Sequence, residues 1–410
     1  VYRLADLLDL ALSSDPATRA AWSEARAAAA TAGARQADWL PTLDATGVLQ
    51  KQDAYANAVP GVRPVTATVS AQLSWLLLDL GARGAAGEEA ELNLTAARLA
   101  HEVALRDLAL QVEVAWFQYQ GARALVDASV AVLAQAETSL DSAEARKRAG
   151  TATVADVLQS RTARSQARLD AQRVEGLALT ARGSLASLAG LSPIVELEVT
   201  PLPARLPEAP VLEEVGRLLA EAARNNPDLA LSRAQAGAAS ARATVASRAG
   251  LPTLSLAGAA GELWAVRPEA GPVTSWSAGL VLAVPLFEGG RTSFDAAAAR
   301  ESAAAAQERV EQAGRRVQLD AWTALQAART AGLRVETSRD LLASATAGVE
   351  VAAARYREGV GSILDLLAAQ SALSTARAEE ILARTDWLVA VARLARATGR
   401  VLPSFDGATR

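Results

Sequence analysis

Residues 65–75 read VTATVSAQLSW. Val65, Ala67, Val69, Ala71, Leu73 and Trp75 fall on one side of an extended chain, and Thr66, Thr68, Ser70, Gln72 and Ser74 fall on the other. Successive side chains alternate across a strand, so the stretch is a two-sided ribbon with one apolar and one small polar face. The chain beyond it has another character. Residues 84–149 contain no proline and are dominated by Ala, Arg, Glu, Gln and Leu, which predicts one uninterrupted helix roughly 100 Å long. A helix of that length cannot be buried in one globule and must lie along something. A mostly helical chain with an isolated two-sided strand needs a reason for the strand.

The pattern occurs twice. DPATRAAWSEARAAAATAGARQADWLPTLD at 15–44 matches NPDLALSRAQAGAASARATVASRAGLPTLS at 226–255, an offset of 211 (226 − 15). LDLGAR at 78–83 answers LFEGGR at 286–291, and RKRAGTATVADVL at 146–158 answers RYREGVGSILDLL at 355–367. An internal repeat of this length is one structural unit used twice. The first repeat spans 1–190, with strands at 43–52 and 65–76, a long helix at 84–149 and a return helix at 153–189. The second spans 213–400, with strands at 253–264 and 273–284, a long helix at 292–358 and a return helix at 362–399. In the second long helix Leu342, Ala345, Val349, Ala352 and Tyr356 are spaced by three and four, a coiled-coil seam. Residues 191–212 form a proline-rich linker with a strand candidate at 195–200, and 401–410 a C-terminal tail. The segments 53–64 and 265–272 are turn-rich and read as loops between the paired strands.

Composition narrows the function. A net charge of −4 and the lack of a basic stripe argue against nucleic acid as a partner. The chain has no cysteine, which removes disulfides and thiolate metal sites, and no methionine, so an N-terminal piece is expected to have been removed. Aromatic residues are only 4% of the chain, and alanine supplies much of the apolar content, which suits thin walls of closely approaching helices rather than a thick core. No window holds 18 uninterrupted apolar residues, so any crossing of a membrane is expected to be by strands. Strands of about ten residues are long enough for that. Four of them cannot close a barrel with a polar lumen, and open edges are not viable in lipid. Several protomers must therefore pool their strands, apolar face to lipid and Thr/Ser/Gln face to water. A soluble sandwich strand is the commoner origin of such alternation, but no second layer is available here.

The repeat, the Leu-Pro-Thr-Leu helix-to-strand junctions, LFEGGR and YREGVGSILDLLAAQSALSTARAEEI at 356–381 together resemble the TolC-like outer-membrane efflux proteins. The resemblance covers essentially the whole chain. It implies a mainly α fold with a membrane β-barrel portion: a homotrimer whose long antiparallel coiled-coil helices form an α-helical barrel, topped by a twelve-stranded β-barrel with four strands per protomer. It implies residence in the bacterial outer membrane, in contact with its lipid, with the helical tunnel in the periplasm. The implied partners are a periplasmic adaptor and an inner-membrane transporter, either proton-driven (RND type) or ATP-driven (ABC type). The function implied is that of an exit duct for small molecules, with protein secretion through a type I system as the alternative.

By the same resemblance the hairpin tips carry the sites. Gly150 and Thr151 in the first turn, and Gly359, Val360 and Gly361 in the second, match adaptor-docking segments, and the glycines also suit tight helix reversals. Asp365 matches an acidic ring at the periplasmic entrance, and Asp156 and Tyr356 match positions that tie neighbouring helices in a closed state. Ala149-Gly150-Thr151 departs from the family's Val-Gly-Leu, Ala368 stands where a second acid is common, and Gly361 replaces a family arginine. Asp156 fits a helix-start cap as well as a gate. Arg146, Arg148, Arg355 and Arg357 read as solvated helix faces. His101, the only histidine, lies within a long helix with no partner at ligand spacing, and GARGAAG at 81–87 lacks the Gly-Lys-Ser/Thr ending of a phosphate loop. No nucleophile–base set can be assembled, so neither catalysis nor a cofactor or metal is expected. A soluble coiled-coil scaffold would leave the strands unexplained, and a self-contained pore would leave the long helices unexplained.

Overall fold

The computed structural model describes residues 2–51, 65–201, 206, 215–267 and 269–399. The expected loop at 53–64, the tail and most of the linker beyond Pro201 lie outside the described residues. The element order is α1 (Leu4–Ser14), α2 (Pro16–Ala37), β1 (Thr42–Lys51), β2 (Val65–Leu78), α3 (Ala82–Arg148), α4 (Val154–Leu188), α5 (Val215–Asn225), α6 (Pro227–Arg248), β3 (Thr253–Arg267), β4 (Glu269–Ala283), α7 (Arg291–Arg357) and α8 (Ile363–Thr398). The two proline-free stretches are single helices of 67 residues each.

Two local expectations are corrected. Residues 195–200 are not a strand: only Val199 bridges, in parallel, to Tyr2. On the C-terminal side of Tyr2 the facing chain leaves at once for a helix, with Arg3 as the cap of α1. The expected loop 265–272 is shorter than its prolines suggest, since β3 runs to Arg267 and β4 begins at Glu269, with Val266 paired to Glu269. β4 is an edge strand, where a proline such as Pro272 is tolerated.

The chain divides into two compact units. One comprises 1–21, 100–229 and 314–410. Its core is built on α8, where every residue from Trp387 to Ala392 is buried. Bulk on α8 is matched by its absence opposite. A side chain at Gly121 would collide with Thr385, and one at Gly332 would come within 3.3 Å of Trp387. Tyr119 Oη donates to Leu197 O at 3.0 Å and Gln120 Nε2 to Thr200 O at 2.5 Å, fastening the linker to mid-α3. Arg396 of α8 joins Asp107 of α3 (2.7 Å) to Asp228 of α6 (3.1 Å). Burial opposes its charge, but the Asp107 hydrogen bond and both carboxylates outweigh that and hold its pKa above the usual value. Burial alone pushes the Glu113 carboxyl on α3 up to about 7.

The other unit comprises 22–99 and 230–313. Here α2 lies on α3 through Ala28, Ala32, Ala90 and Leu94, side chains small enough for close backbone approach. The strands form one antiparallel sheet in the order β1-β2-β3-β4. Where β2 turns into α3, Leu80 and Gly81 both adopt positive φ. A buried ion pair holds this bend. Asp79 accepts from the backbone N–H groups of Gly81 (3.1 Å) and Arg83 (2.6 Å) and from Arg83 Nε (3.2 Å). The remaining Arg83 nitrogens donate to the carbonyls of Asp38, Leu76 and Leu77, and the guanidinium lies 4.3 Å from the Trp39 ring centroid.

The second repeat does not copy this lock. At the β4–α7 bend, Arg291 and Glu288 are 3.6 Å apart, with Arg291 74% exposed. Arg83→Ala should therefore cost about 3 kcal/mol or more, since it strands a buried carboxylate, whereas Arg291→Ala should cost less than about 1 kcal/mol. Thermal unfolding of the two variants in detergent measures the difference, and equal losses would remove the asymmetry between the bends.

Candidate functional site

Both hairpin tips are closed by the same backbone device. Gly150 and Gly359 each have φ of +76°, in the left-handed region that glycine adopts without steric cost. Thr151 N then donates to Arg146 O at 2.9 Å, and Val360 N to Arg355 O at 3.0 Å, reaching back over the last turn of α3 and of α7. Gly361 is required for a different reason: a Cβ there would lie 3.0 Å from Arg355 Cβ.

The two candidate acids occupy equivalent places. Thr153 N donates to Asp156 Oδ2 at 2.7 Å, and Asp156 N donates to Thr153 Oγ1 at 3.2 Å. Ser362 and Asp365 repeat the exchange at 3.2 and 3.1 Å. Each carboxylate is thus the third residue of a return helix, inside a reciprocal capping box. Asp365 also lines a groove of about 400 Å³ on the second hairpin, with Gly348, Val351, Arg355 and Gly361.

Tyr356 is brought to neither acid. It is buried with Ile363 and Leu366, and its hydroxyl has no hydrogen-bond partner among the described residues. Its partner is Arg146, whose guanidinium lies 4.5 Å from the ring centroid. Arg146 also donates to Tyr356 O at 2.9 Å and to Arg357 O at 3.1 Å, capping the carbonyl end of α7 from α3. The reading of Arg146 as a solvated helix face is therefore corrected. Its only sequence signal is a basic residue four positions before a helix-ending glycine, which many surface arginines share.

The sheet supplies the second part of the site. Register places Leu43, Leu49, Val69, Leu73, Trp75, Leu256, Trp276, Leu280 and Leu282 on one face. The other face carries Thr42, Asp44, Thr46, Ser70, Gln72, Ser74, Ser275 and Ser277, with Thr46 and Ser70 hydroxyls 2.9 Å apart. The apolar face is uncovered, with Leu49 76% and Trp276 80% exposed. Contiguous exposure of this extent marks contact with lipid or protein. No described helix is long and apolar enough to cross a membrane.

The sequence profile of outer membrane efflux proteins matches residues 7–191 and 218–400. The chain belongs to that family. It is 30% identical over 382 residues to protein CyaE of Bordetella pertussis, covering 92% of this chain and 80% of that one. It is 28% identical over 403 residues to outer membrane protein OprJ of Pseudomonas aeruginosa, covering 96% and 83%. The toluene efflux pump outer membrane protein TtgF of Pseudomonas putida is 26% identical over 315 residues, covering 71% and 60%. Among solved structures, the outer-membrane channel OprN superposes with a TM-score of 0.86 at 23% identity over 97% of this chain and 89% of that one. The protein is thus an outer-membrane efflux protein of TolC-like fold, predominantly helical with a few strands.

The tip geometry separates two substitutions. Tyr356→Phe removes a hydroxyl with no partner and should leave stability within about 0.5 kcal/mol of wild type. Arg146→Ala removes a cation–π contact and two carbonyl caps and should cost about 1–2 kcal/mol. Denaturant titration distinguishes them, and a larger loss from Tyr356→Phe would place an unseen partner on its hydroxyl.

Proposed function

We propose that this chain is the outer-membrane exit duct of a tripartite pump exporting small molecules. Three copies pool their strands into a twelve-stranded barrel and their long helices into a periplasmic tunnel. The observation that carries the reading is the two-faced sheet with both edges free. It can sit in lipid only if copies pair edge to edge, and pairing leaves a hydroxyl-lined interior. The tips around Gly150-Thr151 and Gly359-Val360-Gly361 dock a periplasmic adaptor, which links the duct to an inner-membrane transporter. Small-molecule cargo is favoured by the resemblance to a protein named for toluene efflux. Affinity capture of the inner-membrane partner tests cargo class, since an ATP-driven exporter bound to a large secreted protein would replace this reading with protein secretion.

The barrel has a direct test. Val69→Arg or Leu280→Arg, on the apolar face, should reduce membrane-inserted yield, because a midplane cation facing lipid costs on the order of 2–4 kcal/mol. Thr68→Arg and Ser277→Arg, on the opposite face, should insert normally. Equal yields from both pairs would mean that the faces are misassigned.

The entrance is tested by current. In a threefold assembly Asp365 occurs three times around the narrowing tunnel and attracts cations. Asp365→Ala should lower cation preference and weaken block by divalent ions added from the periplasmic side, with assembly intact. Planar-bilayer recording decides it, and unchanged selectivity would leave Asp365 only its capping role.

A further inference from the structure

The apolar face of the sheet breaks its own pattern near the hairpin that joins β3 to β4. Along β3 that face runs Leu254, Leu256, Gly258 and Ala260, and along β4 it runs Leu282, Leu280, Ala278 and Trp276. The next paired row on the same face is Glu262 opposite Thr274, with Val69 on the other side of Glu262. Directly paired residues of an antiparallel ladder share a face, so this carboxylate stands on the apolar side and not among the hydroxyls of the other. Glu262 is half-buried and makes no hydrogen bond or ion pair among the described residues.

Depth and surroundings single the position out. The row lies eight residues along β3 from the Leu254–Leu282 pair (262 − 254). At about 3.4 Å per residue and a tilt near 40°, that is roughly 20 Å along the membrane normal, close to the far edge of an apolar band about 25 Å tall. Two tryptophans bracket Glu262 on this face. Trp264, opposite Ala67, is two residues further along β3, and Trp276 is the diagonal neighbour on β4, each about 7 Å away. Trp276 is exposed and Trp264 half-buried.

We propose that Glu262, Thr274, Trp264 and Trp276 form a seat for the ammonium headgroup of a membrane phospholipid. The inference rests on the reading above that this face meets lipid. A carboxylate at the edge of hydrocarbon calls for a cation, and the described residues of the chain supply none. The faces of the two indoles attract an ammonium group, and the Thr274 hydroxyl can accept one of its N–H groups. A divalent ion is the poorer occupant, because it takes about six oxygen ligands and this row offers one carboxylate and one hydroxyl. An anionic headgroup without such an ion is repelled.

The test places the protein in nanodiscs of equal parts phosphatidylethanolamine and phosphatidylglycerol. It is then released into mild detergent, and the lipids it retains are counted by native mass spectrometry. Wild type should keep phosphatidylethanolamine over phosphatidylglycerol. Glu262→Gln should lower that preference several-fold, and Trp276→Leu should weaken it. Asp44→Asn, which removes a carboxylate from the opposite face, should leave it unchanged. Equal preference in wild type and Glu262→Gln overturns the seat. So does a wild type that keeps phosphatidylglycerol instead once magnesium is added, which would make the occupant a divalent ion. Phospholipids brominated in their acyl chains separate this inference from the reading it rests on. They should quench Trp276 emission, measured as the difference between wild type and Trp276→Leu. Quenching without a headgroup preference overturns the seat alone, and no quenching overturns the lipid-facing reading of the sheet together with it.

Discussion

Along β1 and β4 the outer rows of backbone N–H and C=O groups have no strand partner among the described residues. Water would satisfy them, but hydrocarbon does not, and each unpaired group there costs several kcal/mol. Pairing those edges with further copies of the chain, as in the assembly proposed above, would satisfy them. With four described strands, every such junction would be antiparallel. The alternation of Leu and Trp against Thr, Ser and Gln would then give the wall a lipid side and a water side.

The helices answer a different constraint. Where helices pack through alanine, stability comes from many shallow contacts along their length. Small residues let backbones approach, as at Ala28, Ala32 and Ala90 between α2 and α3. Some large side chains sit where the opposing helix makes room, as Trp387 does over Gly332. This explains why alanine dominates the apolar content and aromatics are scarce. It also explains why proline is kept out of the long spans, since a kink in one would separate contacts along its whole length.

Features governed by local chemistry were legible in the sequence. The alternation at 65–75, the proline-free spans and the paired glycine turns each have a short-range cause, and the repeat made each visible twice. What escaped depended on partners distant in sequence. Residues 195–200 lack strand pairing except at Val199, because the facing chain turns into α1 directly after Tyr2. Pro272 reads as a loop residue until β4 is known to be an edge strand. Arg146 reaches carbonyls 210 and 211 positions away. The Asp79–Arg83 pair is visible as a spacing of four, yet its burial depends on Trp39 and Asp38 folding over it.

The two capping acids have the same structural role, and the entrance role proposed for Asp365 would require no change in its contacts. Asp156 and Asp365 make the same reciprocal bonds at the start of their return helices. A carboxylate in the first turn is favoured by the unsatisfied N–H groups and the dipole of its own helix. In a threefold arrangement those same N–H groups offset part of the repulsion that three acids around a narrow passage would otherwise exert. The charged ring proposed above would therefore stand where each member already has a local reason to be charged. Asp365 differs from Asp156 not in its bonds but in what lies beside it, the groove lined by Gly348, Val351, Arg355 and Gly361. That groove, rather than the capping motif the two acids share, is what favours Asp365 over Asp156 in the proposed entrance role.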